Sequence, residues 1–252
     1  MIPKTIHYCW LSNDPIPSDL QGYMKTWKEK LPEYEFILWN FDRFDINSSL
    51  WVKQAFEAKK YAFAADYIRL FAVYNYGGIY MDMDIEVLRS FNDLLNSPLM
   101  LAYENDTKTG IEAGVFGAEK GNALIGECLS YYSNRQFIKE NGSYDTLPLP
   151  QIMIKYVSKH PEITPLTKEY LTCKSTIDGV ITTTKNSYCI HNFAGSWVDA
   201  YYKILNEKLR NIYRRFGKNI ISKIIAYLYA GMYRLRVMGF NSTLAYYFKK
   251  RK

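Results

Sequence analysis

Short runs of β-branched and aromatic residues alternate with longer helical patterns along this chain. Residues 3–10 (PKTIHYCW) are the first such run and predict a strand. A loop follows with Asn13, Asp14, Pro15 and Pro17, and Ser18 or Asp19 caps a predicted helix that reaches about Lys30 and stops at Pro32. Residues 34–39 (YEFILW) predict a second strand. Strand, helix and strand at this spacing form a β-α-β unit and imply a partly parallel sheet. Residues 51–59 read as helix, and 62–75 as a stronger one, amphipathic with Phe63, Tyr67, Leu70, Phe71 and Tyr74 on one face. Gly77 and Gly78 stop it. The apolar run 79–81 predicts a short strand leading straight into Asp82-Met83-Asp84, and residues 85–88 continue the extended pattern. Further strands are expected at 99–103, 113–118 and 187–191, with helices at 123–137 and 150–158.

The last fifty residues change character. Ile204, Leu205, Leu209, Ile212, Tyr213 and Phe216 recur at helical spacing, as do Ile220, Ile221, Ile224, Ile225, Leu228 and Met232, with Lys and Arg between them. Charge divides at the same place. Residues 203–252 hold 13 Lys/Arg and a single acid, Glu207, whereas residues 1–202 hold 19 Lys/Arg and 24 Asp/Glu. Two parts of opposite charge imply two tasks, so we expect a domain over 1–202 and a basic helical tail over 203–252. Such a tail fits an anionic membrane surface, or a helical hairpin packed on the domain. Nucleic acid is not expected, because no nucleic-acid-binding motif accompanies the charge.

The chain has 252 residues, enough for one sizeable core and an appendage, with 48% hydrophobic and 23% charged residues. Its 23 Tyr are an excess, and Tyr suits surfaces that are apolar on one side and wet on the other. Cys9, Cys128, Cys173 and Cys189 lie at no metal-binding or CxxC spacing and are expected to be reduced, mostly buried thiols. The opening MIPKTIHYCW lacks the apolar run of a signal peptide, and no stretch approaches the ~18 apolar residues of a membrane span. Neither export by that route nor a spanning anchor is therefore expected. Localisation is expected to be cytoplasmic, peripheral on the inner face of the cell membrane.

Candidate chemistry centres on Asp82 and Asp84. In an extended chain, residues two apart point to one side, so the two carboxylates would converge, which favours a cation between them. Mg²⁺ or Mn²⁺ suits that pair, since hard cations take carboxylate and phosphate oxygens together. An Asp-x-Asp alone is equally a solvated acidic turn, but the apolar Met81 and Met83 beside it point to a buried strand. Asp66 and Arg69 lie three apart on one helix face. They read either as an intrahelical ion pair, or as an acceptor for sugar hydroxyls beside a donor for a diphosphate. His7 within an apolar strand reads as a satisfied core histidine, and His160 before Pro161 as a solvated one.

Residues 64–69 (AADYIR) followed by 76–84 (YGGIYMDMD) resemble the sugar-binding Asp-x-Asp region of glycosyltransferase family 32, and also the catalytic domain of the large clostridial glucosylating toxins. The opening 2–10 (IPKTIHYCW) is similar to the family's first strand, and 191–197 (HNFAGSW) to its closing motif. The resemblance spans about residues 1–200 and implies an α/β, GT-A type nucleotide-binding sandwich with a mixed central sheet, followed here by the C-terminal basic amphipathic helical appendage. It implies that Trp10 stacks on the donor base, with Leu11 next to it at the donor loop. It also implies that Asp66 and Arg69 hold the donor sugar, that Tyr80 lies close to the donor, and that Asp82 and Asp84 form the metal and ribose pair. His191 takes the place of a third metal ligand, and Ser196 and Trp197 belong to a lid over the diphosphate. Two departures stand out. Leu11-Ser12-Asn13 replaces the family's Phe-Gly-Gly, and Glu112-Ala113-Gly114 falls where members vary, so no role is assigned to it.

The expected activity is retaining, metal-dependent transfer of a hexose from a nucleotide sugar, UDP-linked by preference and GDP-mannose otherwise. The expected acceptor is a lipid-linked or polysaccharide chain in surface glycan synthesis, of the capsular type. The sequence names no general base and no covalent nucleophile, which fits front-face attack with the leaving phosphate taking the acceptor's proton. The rival reading is a non-catalytic nucleotide-sugar or glycan binder held at the membrane surface.

Overall fold

A computed structural model describes residues 1–194 and 200–249. The described chain divides into two compact units, Met1–Lys174 with Ile181–Trp197, and Ser175–Val180 with Val198–Lys252.

The first unit opens as its sequence pattern requires. Strand β1 (Thr5–Cys9), helix α1 (Ser18–Lys30) and strand β2 (Glu35–Trp39) form a β-α-β unit in which β1 and β2 pair in parallel. After a single 3₁₀ turn come α2 (Leu50–Glu57), capped by the Ser49 hydroxyl, and α3 (Tyr61–Tyr76). Strand β3 (Gly78–Met81) returns parallel to β1, and β4 (Ile85–Val87) leaves the main sheet. Strands β5 (Leu99–Met100) and β6 (Val115–Ala118) complete a mixed five-stranded sheet in the order β2-β1-β3-β6-β5, with β6 antiparallel to both of its neighbours. Helices α4 (Ala123–Ser130), α5 (Leu149–Val157) and the one-turn α6 (Lys168–Leu171) follow. Strand β7 (Cys189–His191) then pairs antiparallel with β4 in a two-stranded ribbon.

Side chains alternate between two cores on the two faces of the sheet. On β3, Tyr80 joins the cluster built with α2–α5, whereas Ile79 and Met81 join the one that covers Trp27 of α1. Three buried tryptophans anchor these cores and satisfy their indole N–H groups, Trp27 on the Ile85 carbonyl, Trp51 on the Phe63 carbonyl and Trp39 on His7 Nδ1.

Three local expectations need correction. Helix α3 is not amphipathic: Ala64, Ala65, Asp66, Ile68, Arg69, Ala72 and Val73 are buried, together with Phe63 and Leu70 of the anticipated face, whereas its Tyr67, Phe71 and Tyr74 are only partly buried, because the helix runs between the sheet and α2 and α4. The 123–137 helix stops after two turns, and residues 131–134 continue as turns. His160 is not merely solvated, since its ring nitrogens meet Glu162 at 3.0 Å and Glu127 at 2.9 Å. His7 is the satisfied core histidine, fully buried and bonded to the Gly77 carbonyl at 2.8 Å. All four cysteines are free thiols.

In the second unit, α7 (Ala200–Phe216) packs on α8 (Ile220–Lys249), which Gly239 kinks with φ of 78°. Asn219 and Ser222 bond reciprocally to each other's backbone N–H, a capping box that fixes where α8 begins. Asp178 joins this unit through Lys218 at 3.0 Å, and its backbone carbonyl accepts from Arg214 Nε. Among the described residues no helix is long and apolar enough to cross a membrane.

Candidate active site

Gly77 and Gly78 set the geometry that leads into the site. Both hold positive φ, 70° and 103°, and a Cβ on Gly78 would lie 2.6 Å from the Thr5 carbonyl oxygen. Only glycine lets the chain leave α3 and enter the sheet this close to β1. Strand β3 then delivers Asp82 at its end. The extended Asp82-Met83-Asp84 segment expected from the sequence is not what the structure shows. The segment forms a turn closed by the Ile85 N–H on the Asp82 carbonyl at 3.1 Å. The carboxylates therefore converge through the turn. Asp82 is partly exposed and Asp84 is buried.

His191 arrives from β7, whose register places it opposite Ile85. One donor atom each from Asp82, Asp84 and His191 lies within 4.8 Å of the others. His191 Nε2 faces Asp84 Oδ1 at 3.5 Å, while Asp84 Oδ2 is held by the Ala194 N–H at 2.7 Å. The other side of the imidazole is held as firmly. Glu112, almost wholly buried, takes His191 Nδ1 and the Gly114 N–H on Oε1 at 2.9 and 2.7 Å, and the Thr172 hydroxyl on Oε2 at 2.9 Å. Gly114 leaves the ring its room, because a Cβ there would come within 2.6 Å of His191 Cε1. Burial draws the His191 pKa down, but Glu112, Asp84 and Asp82 outweigh it and push it up to about 10. Without a cation, the imidazolium neutralises its own acidic surroundings, and a metal at Nε2 would displace that proton.

A second layer lies beneath. Arg69, buried on α3, reaches Asp82 Oδ2 at 3.3 Å, Asp66 Oδ1 at 3.3 Å and the Ala113 carbonyl at 2.7 Å, and lies over the Tyr80 ring. Tyr80 donates its hydroxyl to Asp82 Oδ1 at 2.8 Å. Asp66 and Arg69 are thus the intrahelical pair that i, i+3 spacing permits, and Arg69 ties that pair to Asp82 as well. Burial raises the Asp66 carboxyl to about 6, with Arg69 drawing it down and Asp82 raising it. Glu104 is pushed up to about 7, by burial first and then by Glu112, against the pull of His191.

The remaining expected residues fall in different places. Trp10 is half-buried and donates Nε1 to the Asp14 carbonyl at 2.8 Å. The Leu11 side chain belongs to the core and offers no free surface to a donor. Ser196 and Trp197 lie outside the described residues. Glu112 and Glu104 carried no signal in the sequence, because a lone acid in a loop has no periodicity to mark it.

Two carboxylates and an oriented imidazole fit Mn²⁺ or Mg²⁺, with coordination positions left for phosphate oxygens. The second layer supplies what such a site needs, a carboxylate on the far ring nitrogen and a hydrogen-bonded acid.

Residues 17–100 match the family model described as a glycosyltransferase sugar-binding region containing DXD motif. Inositol phosphoceramide mannosyltransferase 3 of Schizosaccharomyces pombe is 32% identical over 128 residues, 49% of this chain and 35% of its own length. Mannosyl phosphorylinositol ceramide synthase CSH1 of Saccharomyces cerevisiae is 33% identical over 122 residues, 47% of this chain and 32% of its own. The chain thus spans about a third of the length of these curated relatives. The solved PaToxG glycosyltransferase shares the fold, with a TM-score of 0.50 and 19% identity over 64% of this chain and 70% of that one. Residues 17–100 therefore resemble a DXD-containing glycosyltransferase sugar-binding region, and the mixed α/β sheet around them is a fold shared with PaToxG.

Proposed function

We propose that this chain is a metal-dependent glycosyltransferase that moves a hexose from a nucleoside diphosphate sugar to a lipid-borne or glycan hydroxyl. The observation that carries the proposal is the convergence of Asp82, Asp84 and His191 on one point, with Arg69 and Tyr80 bonded to Asp82 from below. Mannose is the sugar to test first, because the relatives named above are mannosyltransferases, and GDP-mannose therefore moves ahead of the UDP-hexoses.

Asp82, Asp84 and His191 would hold the cation. Bound there, Mn²⁺ or Mg²⁺ supplies Lewis-acid neutralisation of the departing diphosphate. The chain's own groups do the rest. Glu112 and the Ala194 N–H hold His191 and Asp84 in place before any donor arrives, so little reorganisation is left for the reaction. Arg69 fixes Asp82 and keeps a positive charge beneath the site, and Asp66 presents a carboxylate oxygen to sugar hydroxyls. Retention of configuration, with the acceptor's proton passing to the leaving phosphate, is the course we propose for the transfer.

The test is release of nucleoside diphosphate from GDP-mannose and UDP-hexoses by the purified chain, with Mn²⁺, with Mg²⁺ and with chelator. We expect metal-dependent hydrolysis of one donor class, abolished by chelator. Asp84→Asn should lower turnover by about 100-fold or more. Wild-type turnover in Asp84→Asn, or donor use indifferent to chelator, would overturn the metal assignment. The anomeric configuration of a transferred sugar, read by NMR, decides retention.

A further inference from the structure

We infer that the outer face of α8 docks on an anionic lipid bilayer. The helix is apolar almost all round, with Ile, Leu, Tyr, Ala and Met filling most positions from Ile220 to Met232. A helix of this kind is stable only when both sides are covered. One side is covered by protein: Ser222 and Ala226 are buried, and Tyr233 stacks on Tyr201 of α7 at 5.1 Å. The other side faces outward. Ile221, Ile224, Leu228, Met232 and Leu235 recur at three- and four-residue steps beside Ile220, and all six are exposed, Ile220 at 69% and Met232 at 62%. Together they make a stripe about four turns long at 3.6 residues per turn, of a size that marks an interaction surface.

Charge selects the occupant. Lys223 and Arg236, both exposed, fall on the two margins of the stripe, where their stems can lie along apolar surface and their heads reach outward. With these two included, residues 203–252 hold 13 Lys/Arg against the single acid Glu207. A second copy of this chain would bring the same excess of positive charge against itself. An anionic headgroup layer over hydrocarbon matches both the basic margins and the stripe between them. With Lys223, Arg234 and Arg236 on α8 and, among the described residues, no helix apolar enough to span, the contact would lie in the interface plane.

The test is sedimentation of the full chain with vesicles of phosphatidylcholine alone and of phosphatidylcholine mixed with phosphatidylglycerol. We expect binding to the mixed vesicles and little to the neutral ones. Replacing Ile220, Ile224 and Leu228 together by Ser should lower the partition coefficient at least about tenfold. Lys223→Glu with Arg236→Glu should lower it on mixed vesicles by a comparable factor. All five side chains are exposed, so circular dichroism should show unchanged helicity. Equal partitioning on both vesicle types, or full binding by the triple Ser variant, would overturn the inference. So would a wild-type dimer that the triple Ser variant makes monomeric with no vesicle binding in either, since a second copy would then cover the stripe. Hydrolysis of the donor in vesicle-free buffer is measured on the same samples, so failure of docking is distinguishable from failure of the enzymatic reading.

Discussion

At Glu112 one buried carboxylate serves His191 Nδ1, the Gly114 N–H and the Thr172 hydroxyl. Glu112→Gln keeps the volume and can keep all three contacts if the Thr172 hydroxyl turns round, so the variant should fold. What it removes is the negative charge that makes the imidazole a stronger ligand. Partners of this kind contribute about 10–100-fold to metal affinity. We therefore expect Mn²⁺ to bind Glu112→Gln by about that factor more weakly in calorimetry, and wild-type affinity would deny Glu112 the role. His7 poses a different residue-scale question, one of stability. Its neutral ring accepts from Trp39 Nε1 and donates to the Gly77 carbonyl, and burial lowers its pKa. The unfolded chain takes up that proton near pH ~6.5 while the folded one does not. Its contribution is thus complete above that value and is lost as pH falls below it toward the folded pKa. Denaturant unfolding between about pH 7 and about pH 5 should show a steeper loss in wild type than in His7→Gln. Parallel slopes would mean that His7 does not titrate on unfolding.

The link between α3 and β3 depends on Gly78, where φ is 103° and a Cβ would press on backbone rather than on a movable side chain. Gly78→Ala should lose about 2–4 kcal/mol in equilibrium denaturation, combining left-handed strain with the clash. A change within about 0.5 kcal/mol would show that the backbone there relaxes freely. This link also marks the boundary of what was legible in the sequence. The two glycines, the helix before them and the β-α-β opening were readable because each signal is local: a stop, a period, a proline. The turn at Asp82-Met83-Asp84 was not, since it arises where β3 stays in the main sheet and β4 leaves to pair with β7, a contact more than a hundred residues away in sequence. The burial of Ala64, Asp66, Ile68 and Arg69 on α3 was hidden for the same reason. Asp66, Arg69, Asp82, Asp84 and His191 were legible as a set through the family resemblance, and the structure brings them together. Glu112 was not, because nothing near it in sequence shows that His191, 79 residues later, lies against it.

On the scale of the molecule, acidic and basic residues are segregated along the chain, and the two chemistries proposed for it respond to salt differently. The candidate site works through contacts of a few ångströms among buried groups, which salt screens little. Docking of α8 relies partly on attraction between a strongly basic segment and a charged surface, and that attraction acts over longer distances. Raising ionic strength from about 0.1 M to about 1 M shortens the screening length from about 10 Å to about 3 Å. High salt should therefore release the chain from phosphatidylglycerol-containing vesicles while donor hydrolysis in solution changes by less than about twofold. If the acceptor is a lipid, transfer to vesicle-borne acceptor should fall together with binding, whereas transfer to a water-soluble acceptor should not. The triple Ser variant of α8 should reproduce the high-salt pattern at low salt, because it removes the apolar half of the same contact. Vesicle binding and donor hydrolysis that declined together with salt would mean that one electrostatic feature serves both, and the division of labour between the two units would be wrong.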